Sequence, residues 1–346
     1  MRRLATIQKI LDIQPIEGAD KIERAKIKDW WVVIQKGLHQ IGEKVVYFEI
    51  DSFLPNIKEY SFLLKGSSPK KMLFDGKERE GIRLKTIRLR GQISQGLIMP
   101  LSTYKDKLSW LLLNTDVSET LNVIKYEQPI PANLSGVIKG SFPEFIRKTD
   151  EERIQNCVDI LERNKDKAFY VTEKIDGSSV TYYKKDGEFG VCSRNWELKE
   201  TKENTIWDFA KKSRLIEKLP DNYAIQGEII GPGVQGNPLK RSEIELYVFN
   251  VFDIKEQKFL DYAKFVKFCF DIEMKIVPLV ADNYLLDDSI DILLEFANGK
   301  SLLNPNKKRE GLVFRPLIEQ TEEINGSISR LSFKVVSNEY LLTNEQ

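Results

Sequence analysis

Residues 173–179 read EKIDGSS and follow the apolar run AFYVT. A strand-like segment breaks there into a turn, leaving Lys174, Asp176 and Gly177 at its end. A lysine in such a place is either a solvated surface cation or a nucleophile. To act as a nucleophile it has to be neutral, whereas its ordinary pKa is about 10.4, so neighbouring cations or a metal ion must favour the free amine. Gly177 suits a tight turn or a close approach of the backbone to a phosphate. Taken alone, KxDG says little, because so short a pattern arises often by chance.

Five downstream segments change the weight of that lysine: SRNWE (193–197), GEIIGPGVQGN (227–237), LYVFNVFDI (246–254), EGLVFRP (310–316) and SFKVVSNEY (332–340). They supply an arginine, a carboxylate, aromatic rings, a second carboxylate with an arginine, and a lysine. Transfer of a phosphoryl or nucleotidyl group needs charge neutralised on the moving group, and cations at defined depths do this. In this order and chemistry the chain resembles the covalent nucleotidyltransferase superfamily of polynucleotide ligases and mRNA capping enzymes. The EKIDG segment and the five others match its motifs I, Ia, III, IIIa, IV and V in turn. Within that superfamily the likeness is to the Naegleria- and Deinococcus-type RNA ligases, which carry an OB-fold domain ahead of the nucleotidyltransferase domain. It extends over nearly the whole chain, including ADKIE, VVYFEIDSFLP and TIRLRGQISQGL.

The resemblance implies an ATP-dependent RNA ligase that joins 3′-OH and 5′-phosphate ends, at nicks with an RNA 3′-OH strand, through lysyl-AMP and AMP-capped 5′-end intermediates. It implies ATP and Mg²⁺ or Mn²⁺ as cofactors, and RNA or an RNA-containing duplex as partner. Lys174 is then the nucleophile. Asp176, Glu228 and Glu310 are the carboxylates assigned to the metal and its waters, with the ribose hydroxyls as an alternative role for Glu228. Lys334 matches the lysine that contacts the α-phosphate; where many relatives carry a second lysine two positions on, this chain has Val336. Arg194 is placed near the ribose or the incoming 5′-phosphate, Arg315 follows motif IV, and Glu173 joins the nucleotide contacts; the planar fork of arginine suits phosphate oxygens. Adenine needs an apolar slot with a stacking face. Phe252 is the expected ring, with Phe249 in the same strand-like run as the alternative. Arg153, Ile154 and Gln155, in RKTDEERIQN, occupy the place where relatives contribute adenine contacts.

The elements that must position these residues fall into two regions. Residues 1–125 show short runs rich in valine, isoleucine and aromatics, separated by turn residues, which predicts a small β-barrel. Arg83, Lys85, Arg88 and Arg90 lie among alternating apolar residues there, either as a solvated strand face or as a track for a phosphate backbone. Residues 126–146 are rich in Pro, Gly and Ser and read as a linker. From 147 to 346 helical spacing (Ile154, Cys157, Ile160, Leu161) gives way to mixed strands and helices. The expected fold is therefore α+β: an N-terminal OB-fold β-barrel, then a nucleotidyltransferase domain of antiparallel sheets flanked by helices.

Bulk properties agree. The 346 residues, 41% hydrophobic and 30% charged, suffice for two cores. Lys plus Arg number 53 against 52 Asp plus Glu, so a net charge of +1 excludes a global polyanion binder and leaves nucleic acid to local patches. Cys157, Cys192 and Cys269 form no CxxC pair and have only His39 to join them, which argues against structural zinc and for reduced thiols. No apolar run approaches the roughly 18–20 residues that span a bilayer. A cytoplasmic monomer without membrane contact is expected. A DNA ligase or a GTP-using capping enzyme shares the KxDG chemistry, but both usually place the OB domain second. A non-catalytic OB nucleic-acid-binding protein would have little reason to keep Lys174, Asp176, Glu228, Glu310 and Lys334 together.

Overall fold

The computed structural model describes residues 3–344 apart from 65–66, 75–76, 105–107, 109–111, 127–135, 149, 166, 202–203, 288 and 325–326. It divides into two compact units, residues 1–130 with 342–346, and residues 131–341. No helix among the described residues is long and apolar enough to cross a membrane.

The first unit is built of short antiparallel strands. The strand Trp30–Gln35 shows why: Trp30, Val32 and Ile34 are buried and their neighbours are not, the period-2 alternation of a half-covered sheet. It pairs with Ile22–Ile27, which pairs with Asp12–Pro15. A second sheet joins Ala5–Lys9, Lys44–Phe48 and Leu97–Pro100, and a third runs Ile124–Lys125, Ser52–Pro55, Lys77–Arg83, Lys70–Phe74. The basic residues of 83–90 do not share one strand face. Arg83 ends its strand, bonds Asp51 at 2.8 Å and lies 4.8 Å from the Tyr126 ring centre, while Arg88 and Arg90 belong to a separate hairpin, Ile87–Leu89 with Gln92–Ser94.

The second unit holds two large sheets and the two-stranded hairpin Thr321–Ile324 with Ser327–Arg330. One has seven antiparallel strands in the order Ile138–Ser141, Trp196–Leu198, Glu188–Ser193, Ser178–Lys185, Tyr223–Ile230, Glu245–Asp253, Lys258–Phe259. The other orders Glu152–Arg153, Phe333–Val336, Gly311–Pro316, Ala168–Lys174, Leu279–Leu285, and only its first pair is parallel. The helices Thr205–Lys212 and Tyr262–Asp271 pack Trp207, Ala210, Phe265 and Cys269 against the seven-stranded sheet; Ile290–Ala297 packs Ile290, Leu293 and Ala297 against the five-stranded one. Asn204 caps the first of these helices by accepting from the backbone N–H groups of Ile206 and Trp207. Of the stretch read as a linker, residues 127–135 lie outside the described residues, and Ile138–Ser141 is an edge strand of the larger sheet, with Phe142 and Ile146 in its core.

Phe314 lies at the centre of the smaller sheet's core, fully buried, stacked on Phe333 at 5.0 Å and edge-on to Tyr284 at 5.6 Å. Phe314→Ala should lower the unfolding free energy by about 3–5 kcal/mol, because a cavity is left among aromatic rings. A urea unfolding curve checks this; a midpoint equal to that of the unsubstituted chain would rule it out.

Candidate active site

Lys174 ends the strand Ala168–Lys174 and pairs in register with Gly311, which sets Glu310 beside it across the sheet. Its Nζ donates to Glu310 Oε1 at 2.6 Å, and its side chain is 27% exposed. Burial pulls the lysine's pKa down, but Glu310, Glu228 and Asp176 outweigh it, and the ammonium is held above its ordinary value. Burial raises Glu310, and more than offsets the pull of Lys174. Burial also pushes Glu228 up to about 8; Lys174 opposes this, while Glu310 and Asp176 add to it. Three carboxyl groups thus crowd one lysine, and Arg194 and Lys334 act on them as further cations. Among the described residues no three His, Cys, Asp or Glu side chains stand close enough to hold an ion by themselves, so Asp176, Glu228 and Glu310 are not a closed metal cage. Hard oxygen donors in modest number suit a divalent ion that keeps most of its waters and takes its remaining ligands from a phosphate.

Gly177 is explained by close approach and not by a left-handed turn. A Cβ there would lie 2.5 Å from Ile229 O and 2.6 Å from Ile230 Cγ2, and its φ is outside the positive region. Asp176, one residue before it, accepts a hydrogen bond at Oδ2 from the Tyr340 hydroxyl, a partner that the motif reading does not contain.

Other expected residues are placed as follows. Glu173 is buried and its Oε2 accepts from Leu302 N at 2.7 Å. Strand alternation turns it away from Lys174, so its carboxylate braces the 301–302 loop and does not face the lysine. Arg194 Nη2 and Lys334 Nζ both reach Asp150, at 3.2 Å and 3.6 Å, although they come from different sheets. Val336 is buried and pairs with Gly311. Arg315 is buried, with Nη2 2.7 Å from Glu151 Oε1. Its Nε and Nη1, and Gln155 Oε1, are buried without a hydrogen-bond partner among the described residues. Arg153 is buried and pairs by its backbone with Lys334, whereas Ile154 joins the core of the five-stranded sheet.

Phe252 is not a stacking ring. It is fully buried among Phe142, Cys192, Ala224 and Phe259, with Phe259 edge-on at 5.0 Å, so neither face is free. Phe249 is only partly buried, packs near Ile175 and Ile230, and has the Arg315 guanidinium 5.9 Å from its centre. Residues three apart in a regular strand point to opposite faces. Here the pairing slips between Gln226 and Gly227, whose partners are Asn250 and Val248, so Phe249 is the extra residue of a bulge. Leu246, Val248 and Val251 therefore share one face and Phe249 and Phe252 the other.

Comparison with known proteins follows this division. Residues 4–101 match the family model of an OB-fold domain, and residues 167–336 that of RNA ligase. No curated protein matches significantly. Among solved structures, the chain is similar to Naegleria gruberi RNA ligase with pyrophosphate, at 41% identity and a TM-score of 0.87, covering 100% of this chain and 99% of that one. It is similar to a lysine-to-alanine variant of that ligase with ATP and manganese, at 41% identity and TM-score 0.85, covering 98% of each chain. A glutamate-to-alanine variant with ATP and manganese gives 40% identity and TM-score 0.87 over 100% of both chains.

The two rings should separate experimentally. Phe252→Ala should lower stability by about 3–5 kcal/mol and Phe249→Ala by much less, since only the first leaves a closed cavity. Thermal melting of both variants tests this; equal melting temperatures would contradict the core assignment of Phe252.

Proposed function

The chain belongs to the family of ATP-dependent RNA ligases with an OB-fold domain ahead of the ligase domain, and from that premise we propose that it seals nicks with an RNA 3′-OH strand by way of Lys174. The observation that carries this reading is the 2.6 Å contact of Lys174 Nζ with Glu310 Oε1 inside a surround of further carboxylates. Asp176, Glu228 and Glu310 are the residues that would hold a magnesium or manganese ion, which would supply neutralising charge near the phosphate and the lysine.

Glu310 is placed to receive the proton of Lys174. The freed amine attacks the α-phosphorus of ATP, a P–N bond forms, and the bond to the bridging oxygen breaks to release pyrophosphate. Lys334 and Arg194 exchange Asp150 for phosphate oxygens during this step. Phe249 offers the adenine a stacking face; the free Arg315 Nε and Nη1 are donors, and Gln155 Oε1 is an acceptor, for the nucleotide. AMP then passes to the 5′-phosphate of the RNA, and attack by the 3′-OH joins the ends and releases AMP.

The division of labour is residues 1–125 for RNA and residues 138–346 for nucleotidyl transfer, since Ile138–Ser141 already belongs to the larger sheet. On the outer face of its three-stranded sheet the first unit stacks Arg24 over Trp31 at 4.3 Å and pins the guanidinium to Gln14 and Gln92. Arg24 and Arg90 line an open pocket of about 300 Å³. A guanidinium plane on an aromatic ring beside an exposed cation suits an unpaired base and its phosphate. The three cysteines are free and buried, in keeping with the reducing cytoplasm.

Incubation with α-labelled ATP and magnesium should label the chain covalently, and Lys174→Ala should abolish the label in a chain that still folds and melts cooperatively. Persistence of label in that variant would move the nucleophile elsewhere. On matched nicked duplexes, a ribose at the 3′-OH end should be sealed faster than a deoxyribose, because the 2′-hydroxyl is what separates RNA from DNA at that point. Arg90→Ser should weaken binding to nicked RNA more at low salt than at high salt, by reducing the salt slope by about 1; an unchanged slope would remove Arg90 from the RNA contact.

A further inference from the structure

Tyr340 lies on the helix Asn338–Asn344, which starts two residues after the strand that carries Lys334. The residue is only 8% exposed, and its hydroxyl donates to Asp176 Oδ2. A buried phenol is costly unless its hydroxyl is bonded, and here the acceptor is a carboxylate two residues from the nucleophile. The start of the helix is fixed independently of that bond. Ser337 N donates to Glu310 O at 2.9 Å, Ser337 Oγ donates to Asn298 Oδ1 at 2.9 Å, and Tyr340 N donates to Ser337 Oγ at 3.2 Å. The segment that orients Tyr340 is therefore anchored to the backbone of Glu310, on the other side of Lys174.

We propose that Tyr340 is a positioning residue for lysine adenylylation: its hydroxyl fixes the rotamer of Asp176, keeps that carboxylate from closing onto the Lys174 ammonium as Glu310 does, and leaves Oδ1 facing the reaction. Without the hydroxyl, Asp176 has the same charge but no fixed direction. Glu310 already takes a hydrogen bond from Lys174 Nζ, and a second carboxylate turned onto that nitrogen would pin it out of line for attack. The bond closes a circuit from Lys174 through Asp176, Tyr340, Ser337 and Glu310 back to Lys174. Partners that orient a reactive carboxylate in this way commonly affect activity by about 10–100-fold.

The inference rests on adenylylation of Lys174, and the test uses the full chain. The rate and half-saturating ATP concentration of lysyl-AMP formation are measured, with thermal melts, for the unsubstituted protein, Tyr340→Phe, Asp176→Ala and the double variant. Tyr340→Phe should slow formation about 10–100-fold, leave half-saturation and melting temperature in place, and cause no further slowing once Asp176 is alanine. Lys308→Ala is the control for loosened helix docking, since it removes the 2.7 Å pair with Glu339 on the same helix and leaves the hydroxyl alone; its rate should not change. The proposal falls if Tyr340→Phe keeps the unsubstituted rate, if it slows the Asp176→Ala background equally, or if Lys308→Ala slows the reaction as much. Absence of label on the unsubstituted chain would instead overturn the reading of Lys174, so the two failures are distinguishable.

Discussion

Three carboxyl groups crowd one lysine, and the rest of the catalytic unit follows from that imbalance. At 2.6 Å from Glu310, with Glu228 and Asp176 adding to the field, the Lys174 ammonium is stabilised and is a poor nucleophile. Burial, and after it the neighbouring carboxylates, raises Glu228 and Glu310, and a cation bound there would favour their charged forms. A divalent metal ion bound with the nucleotide would supply positive charge at the place where the lysine must give up its proton.

Holding that imbalance requires rigid supports, and sheet geometry provides them. Lys174, Glu310 and Lys334 sit on or beside three adjacent strands of one sheet, so their separations are set by the hydrogen-bond ladder and not by flexible loops. Gly311 allows the central pair to close: a Cβ there would fall 2.2 Å from Val335 O. Glu228 comes from the other sheet, and Gly177, pressed against Ile229, brings the turn after Lys174 within reach of it. The aromatic stack beneath the smaller sheet, Phe314 on Phe333 with Tyr284 edge-on, packs the strands that carry these residues.

What was legible in the sequence was chemistry in order along the chain. The ordered run Lys174, Arg194, Glu228, Glu310, Lys334 and the β-rich first region could be read because residue types and spacing carry them. Phe249 could not be separated from Phe252, since the bulge that sets both on one face depends on slippage against a strand some 20 residues away in the chain. Tyr340 and Asp150 were missed for a related reason. Their partners are remote, Asp176 for one, Arg194 and Lys334 for the other, and neither forms a local pattern. The edge strand Ile138–Ser141 read as linker because its pairing partner, Trp196–Leu198, lies far downstream.

The neighbours Asp150 and Glu151 show how exposure decides which contacts are permanent. Asp150 is 45% exposed and holds Arg194, itself 50% exposed, and Lys334 at 3.2 and 3.6 Å. Pairs with that much water around them are worth about 0–1 kcal/mol, so a phosphate can replace the carboxylate at little cost. Glu151 is 16% exposed and its arginine partner, Arg315, only 2%. Removing either member would leave a buried charge unpaired, which costs several kcal/mol. Two adjacent carboxylates therefore divide the work. Glu151 fixes a buried arginine in place, whereas Asp150 holds two exposed cations in pairs that a competing anion could replace.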